Sequence, residues 1–288
     1  MIGSISPINS PGNLSNKDTH YLISNEELKN IIIQLETDIA DNSWYHKDYS
    51  AIDMDIMPAL VTQANNKYPE MNLNFVKSPW DIFAEIKKAT ECEIENFRLI
   101  VNMGKDGIHS GVIDCKKING KTSLILFEPS NFIGDGSAIL AFRIKTAIEH
   151  SQLPDYHFSI VEMDIQRSSS ECGIFNLALA KKLYTERNEL LRIHKDNING
   201  ILHNGKLFLP HNELDPYLPV TFYKHTQGKR RLDAYLNTNP QAVDTVINKK
   251  NETILSRFDN NKSVINGKEL SVSAHKKRVT EYKALLKP

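Results

Sequence analysis

QRSSSECGIF, residues 166–175, is the stretch whose reading decides what this chain folds into. A structural cysteine usually lies inside an apolar run, where it packs as a small hydrophobe. Cys172 instead follows a charged, serine-rich turn, precedes Gly173 and opens IFNLALAKKL, an apolar segment that reads as a helix. That position offers a thiol unpaired backbone N–H groups and the positive end of a helix dipole, which favour the thiolate. Cys172 therefore reads as an exposed nucleophile at a helix start, with Ser168, Ser169 and Ser170 as the polar turn leading into it.

On either side of this stretch lie the elements of a mixed fold. RLIVNM (98–103), VIDCKKI (112–118), TSLILFE (122–128) and HFSIVEMDI (157–165) have strand character, and Asn119-Gly120 supplies a hairpin-type turn. Ser24 and Glu27 have capping-box spacing for a helix whose Leu28, Ile31, Ile32, Leu35 and Ile39 share a face. Further helices are expected over 54–66, 79–91, 137–149, 172–184 and 186–201. Beyond Leu202 the pattern weakens, with Gly205, Pro210, Pro216 and Pro219 breaking the chain. The fold class is α+β.

With 288 residues, 40% of them hydrophobic, the chain can build one large domain or two small ones. Thirty-five basic residues balance 35 acidic ones, so no global charge favours nucleic acid, and any anion site must arise from local clustering. Three cysteines are too few for a disulfide framework and point to a reducing compartment. No run reaches the ~20 apolar residues of a membrane helix. Residues 1–22, rich in Ser, Asn, Pro and Gly, read as disordered and lack the basic start and apolar core of a signal peptide. Neither a finger-like Cys/His pairing nor a glycine-rich phosphate loop is present.

A nucleophilic Cys172 needs a base, an orienting group and oxyanion donors. His109 stands between two strands and can be the base. Glu128 ends a buried-looking strand and can hold the imidazole tautomer. Gln166, six residues before Cys172, can join the Cys172 backbone N–H in an oxyanion hole. Two basic clusters lie further on: Lys224, His225, Lys229, Arg230 and Arg231, and then His275, Lys276, Lys277 and Arg278. They are either solvated faces or one polyanion pocket assembled from two distant segments.

The order His, Glu, Gln, Cys, together with EMDIQRSSSECGIFNLALAKKL, TSLILFEP, LPVTFYKHTQG, NKKNET and SVSAHKKR, resembles the YopJ family of type III secretion effectors. The resemblance covers nearly the whole chain. It implies a cysteine-protease-like core of the adenovirus-protease and ubiquitin-like-protease clan, flanked by a helical regulatory region from N- and C-terminal segments. The implied divisions are a secretion segment (1–22), an N-terminal helical region (23–95), the catalytic core (96–202) and a C-terminal regulatory region packing on it (203–288). The catalytic residues implied are His109, Glu128 and Cys172, with Gln166 at the oxyanion position.

By the same resemblance, the reaction is acetyl transfer from acetyl-CoA through a Cys172 acyl-enzyme to Ser, Thr or Lys of host mitogen-activated protein kinase kinases and related kinases. The protein would be delivered into the host cytoplasm by a type III system and activated there by inositol hexakisphosphate. The expected inositol-phosphate contacts are Lys224, His225, Lys229, Arg230, His275, Lys276, Lys277 and Arg278, with His46 or Lys67 as further cations. Lys224 also matches a self-acetylated lysine of relatives. Arg167 is the candidate for a coenzyme A phosphate. A cysteine protease or isopeptidase would use the same triad, and a kinase-sequestering protein would need none of it. One departure from the family pattern is Ser110-Gly111 after His109, where a glycine would loosen the strand start.

Overall fold

The first helix begins where the sequence places it. The Ser24 hydroxyl accepts from the Glu27 backbone N–H while the Glu27 carboxylate accepts from the Ser24 N–H, closing a capping box on α1 (Asn25–Ala40). The structure is a computed structural model that describes residues 23–104, 107–202 and 205–287. The segment 1–22, read above as a disordered secretion segment, lies outside the described residues.

After α1 come α2 (Ser50–Lys67), β1 (Leu73–Val76) and α3 (Ile82–Glu91). They are followed by β2 (Asn96–Asn102), β3 (Ser110–Ile118), β4 (Lys121–Glu128), α4 (Asp135–His150) and β5 (Tyr156–Glu162). The five strands form one sheet in the order β1-β2-β3-β4-β5, antiparallel in the middle and parallel at both edges. β1 is four residues long, too short to declare a period, and brings part of the 23–95 region into the sheet. Asn119 and Gly120 both take left-handed φ, 50° and 82°, as the two-residue β3–β4 turn requires. β5 stops at Glu162, short of Ile165, because Asp164 adopts φ 52° and the N–H groups of Ile165 and Gln166 turn to the Pro129 carbonyl.

Both faces of the sheet are covered, which is why its strands read as near-continuous apolar runs. Ile100, Val112, Ile125, Phe127 and Val161 face a core shared with α2 and with α5 (Cys172–Thr185). Leu99, Val101, Ile113, Leu124 and Leu126 face Ile82 and Ile86 of α3 and Leu140 and Ile144 of α4. Next is α6 (Leu191–Ile198), shorter than expected: residues 187–191 close tighter turns, and Gly200 at φ 70° follows its end. The C-terminal part comprises α7 (His211–Leu214), α8 (Lys229–Thr238), α9 (Ile254–Asp259), the hairpin β6 (Lys262–Ile265)–β7 (Lys268–Ser271) and α10 (Ser273–Leu285). α10 packs on α1, α2 and α5, so the two ends of the described chain meet over the helix that carries Cys172.

Gly111 does not loosen β3. The strand begins at Ser110, Gly111 pairs with Val101, and a Cβ at Gly111 would lie 2.8 Å from a Leu126 methyl. The glycine permits close packing between β3 and the side chains beside it.

Arg98 and Asp114 form a fully buried ion pair across β2 and β3, at 2.8 Å but without hydrogen-bond alignment. The other Asp114 oxygen meets His194 Nε2 at 3.0 Å, and His194 Nδ1 meets Ser123 Oγ at 2.8 Å. This Ser–His–Asp chain is sealed from solvent and is structural. Burial pushes the Asp114 carboxyl up, but Arg98 and His194 outweigh it and hold it below the usual range. Replacing Asp114 with Ala leaves Arg98 uncompensated and is expected to cost about 3–5 kcal/mol in a urea unfolding curve.

Candidate active site

His109 sits at the mouth of β3, where its carbonyl accepts from Met103 N–H at 2.9 Å and closes the β2–β3 connection. Glu128 ends the neighbouring β4. Its Oε2 lies 2.9 Å from His109 Nε2, and its Oε1 accepts from the backbone N–H and hydroxyl of Ser130 at 3.0 and 2.8 Å. With Nε2 held by the carboxylate, Nδ1 is the ring nitrogen left to face the Cys172 thiol. Burial alone would lower the His109 pKa, but the Glu128 charge, the neighbouring Cys172 sulfur and the bond to Glu128 outweigh it and push it up to about 10. At neutral pH the base is therefore poised as an imidazolium, the partner a thiolate needs.

Cys172 is the first residue of α5, as its context predicts, but it is not exposed. It retains 1% of its accessible surface, and its thiol donates to the Ile108 carbonyl at 3.6 Å. The packing of α5 fixes it there. One turn on, Asn176 Nδ2 donates to the Ser110 carbonyl and hydroxyl at 2.7 and 2.9 Å, joining the nucleophile's helix to the strand beside His109. Gly173 is demanded by α2, since a Cβ there would stand 2.9 Å from Asp53 Cβ.

The preceding turn is equally constrained. Gln166 is buried, and its Nε2 donates to the Ser168 carbonyl at 2.7 Å, while its Oε1 has no partner. Gln166 thus braces the turn. Arg167 is engaged with Asp164, at 2.7 and 2.9 Å to the two carboxylate oxygens, so its charge is already paired.

Lys224 and His225 do converge with Lys276 and Lys277, as a pocket built from two distant segments requires. Two adjoining cavities, of about 450 and 590 Å³, share Lys224, His225, Lys277 and Thr280. The first adds Lys67, Lys181 and Lys182; the second adds Lys250, Lys276 and Arg257. Eight cationic side chains face two carboxylates, Glu252 and Glu281. Burial and the neighbouring cations Arg257, Lys182 and Lys277 pull the Lys224 ammonium down to about 8. Burial and the same kind of repulsion drive His225 well below its ordinary value.

Other expected contacts fall elsewhere. Lys229 pairs with Asp233 and Arg230 is exposed on α8, neither lining the cavities. His46 is exposed and also outside them. His275 and Arg278 are buried, turned toward Glu171 and Asp53. Helical spacing explains the split: on α10, residues 276 and 277 face the cavity while 275 and 278 face inward. Sequence reading passed over Arg257, Lys181 and Lys182, whose isolated or helix-embedded charges look like ordinary surface.

A thiol, an imidazole and a carboxylate brought together at strand and helix ends have the composition of a nucleophilic triad on a mixed α/β core. The profile of the family described as YopJ Serine/Threonine acetyltransferase matches residues 28–284. Over 287 residues, the full length of both chains, the protein is 71% identical to the serine/threonine-protein acetyltransferase YopJ of Yersinia pestis and 70% identical to that of Yersinia pseudotuberculosis. Its fold is similar to that of the AvrA variant delL154 with IP6 and CoA (TM-score 0.87, 54% identity, 91% of this chain and 98% of that one). HopZ1a, at 16% identity, shares the fold with a TM-score of 0.69 over 90% of this chain and 98% of that one. The chain belongs to the YopJ serine/threonine acetyltransferase family.

The raised His109 value has a measurable consequence. A group whose pKa is higher in the folded state stabilises the fold fully below its unfolded value, ~6.5, and loses that contribution as pH rises through about 10. In an imidazole NMR titration, Glu128→Gln is expected to shift the His109 midpoint downward, and with it the alkaline loss of stability.

Proposed function

We propose that this protein transfers acetyl groups from acetyl-CoA, through a Cys172 thioester, to Ser, Thr or Lys side chains of host signalling kinases, and that inositol hexakisphosphate activates it. The observation that carries the reading is the joined pair of sites: the His109–Glu128–Cys172 triad at one end of α5 and, along the same helix, the first of the two adjoining cation-lined cavities. In the first half-reaction the Cys172 thiolate attacks the thioester carbonyl, the carbon–sulfur bond to coenzyme A breaks, and its thiolate leaves with the His109 proton. In the second, His109 takes the proton of an acceptor hydroxyl or amine, whose oxygen or nitrogen attacks the acetyl carbon and releases Cys172. The Cys172 backbone N–H and the remaining Gln166 amide hydrogen would receive the negative charge of both tetrahedral intermediates.

Inositol hexakisphosphate suits cavities in which eight cations face two carboxylates, because an empty pocket of this kind is self-repelling and a polyanion relieves it. The acceptors fitting this family branch are mitogen-activated protein kinase kinases and related kinases, reached after delivery by a type III secretion system. Acetylating a hydroxyl that must be phosphorylated would silence the kinase. Among the described residues, no helix is long and apolar enough to cross a membrane.

Intact mass after incubation with acetyl-CoA tests the reaction. Acetyl gain that requires inositol hexakisphosphate and disappears in Cys172→Ala is expected; no gain, combined with cleavage of a peptide or ubiquitin conjugate, would make the protein a protease. The regulatory site has its own test. Anion binding favours protonated Lys224, so affinity for inositol hexakisphosphate by calorimetry should weaken as pH rises through about 8. Lys224→Met should flatten that dependence.

A further inference from the structure

The turn that presents Cys172 is held largely from outside the catalytic core. Gln227 is fully buried, and its side-chain carbonyl accepts the backbone N–H groups of Arg167 and Ser168, the latter at 2.9 Å. Its amide donates to the Glu171 carboxylate and, at 3.1 Å, to the Ser168 hydroxyl. Arg278 approaches the same turn from α10. Its NH2 donates to the Ser170 carbonyl at 2.7 Å and to Asp53 Oδ2 at 3.0 Å, its Nε donates to Asp53 Oδ1 at 2.9 Å, and its NH1 lies 3.6 Å from Glu171. Main-chain groups of residues 167, 168 and 170 are thus fixed by two side chains that lie 59 and 108 positions away. Neither touches the thiol or lines the cation cavities, so their bonds are spent on the shape of the turn.

We propose that Gln227 and Arg278 are positioning residues for the acyl-transfer step: they set the turn 166–171 so that Cys172 and its oxyanion donors point at the acyl carbon. The physical ground is that a backbone N–H or carbonyl in a buried turn must be paired, and here the N–H groups of Arg167 and Ser168 and the carbonyl of Ser170 find their partners in the C-terminal region rather than in the strand and helix that flank the turn. Glu171 adds a second constraint. Its buried carboxylate caps no helix N–H and is held by Gln227, Ser168, His275 and the Arg278 charge, so removing either positioning residue loosens both the turn and the residue adjacent to the nucleophile.

The inference rests on Cys172 being the nucleophile of the reaction proposed above, and its test is read on the thiol as well as on turnover. Full-length Gln227→Met and Arg278→Lys are compared with the unchanged protein at saturating inositol hexakisphosphate. The expected result is a fall in kcat of about tenfold or more with KM for acetyl-CoA within about threefold, the pattern of a lost transition-state interaction. Iodoacetamide alkylation of Cys172, measured without any acyl donor, should slow in parallel. A folded variant with unchanged kcat and alkylation rate overturns the proposal, as does a kcat that recovers fully when the temperature is lowered well below the melting point. If Arg278→Lys does not fold, Gln227→Met decides alone, since it removes no charge. Should the unchanged protein fail to acetylate while the alkylation difference persists, the acetyltransferase reading falls and the positioning role stands.

Discussion

The buried charge of Arg278 is the constraint on which the rest of the structure depends. Its guanidinium has no exposed surface and is matched by Asp53 on α2 and Glu171 at the start of α5. Tyr282 bonds the same Asp53, and the Arg278 guanidinium stacks over the Tyr49 ring. Burial disfavours the Arg278 cation, yet the two carboxylates more than reverse that and its pKa is raised. Such a cluster is costly to assemble and costlier to break, because any one member left behind is an uncompensated charge in an apolar interior. It therefore forces three segments, from both ends of the described chain and its centre, to close on one another.

Helix α5 is what makes this closure matter for chemistry. Its first residue is Cys172, and its flank at Phe175, Ala178, Leu179, Lys181 and Lys182 forms part of the wall of the cation-lined cavity. The triad is anchored on the sheet through His109 and Glu128, while the cavity is completed by α10 and by the stretch around Lys224. A single helix thus has its N-terminus in one site and its side in the other. Asn176 ties it to β3 on the sheet side, and Gly173 lets α2 approach on the other, leaving little room for it to shift independently of either.

The parts legible in the sequence were those whose physics is local. The capping box of α1, the Asn119-Gly120 turn and the apolar runs of β2, β3 and β4 each carry their cause within a few residues. The order of His109, Glu128 and Cys172 was legible because strand and helix ends are where sequence patterns change. What escaped depends on distant partners. β1 is a strand only because β2 lies beside it, and the C-terminal helices are short and interrupted by prolines. His275 and Arg278 look like members of a solvated basic run with Lys276 and Lys277, and only the orientation of α10 separates the two pairs. The exposure expected of Cys172 failed for the same reason: nothing near it in the sequence reveals that its thiol meets the Ile108 carbonyl or that α2 packs against the adjacent Gly173.

That cover bears on the chemical lifetime of the protein. A thiol paired with an imidazolium is the kind of sulfur that peroxide converts to sulfenic and then to irreversibly oxidised acids, at a rate set by access as much as by charge. With 1% of its surface open, Cys172 combines an activating partner with a shield against small oxidants. Any movement that opened the sulfur to a substrate would also admit peroxide, so reactivity and oxidative durability are opposed through the same few side chains. The separate thiols Cys92 and Cys115, one exposed and one buried, give internal references for that ageing.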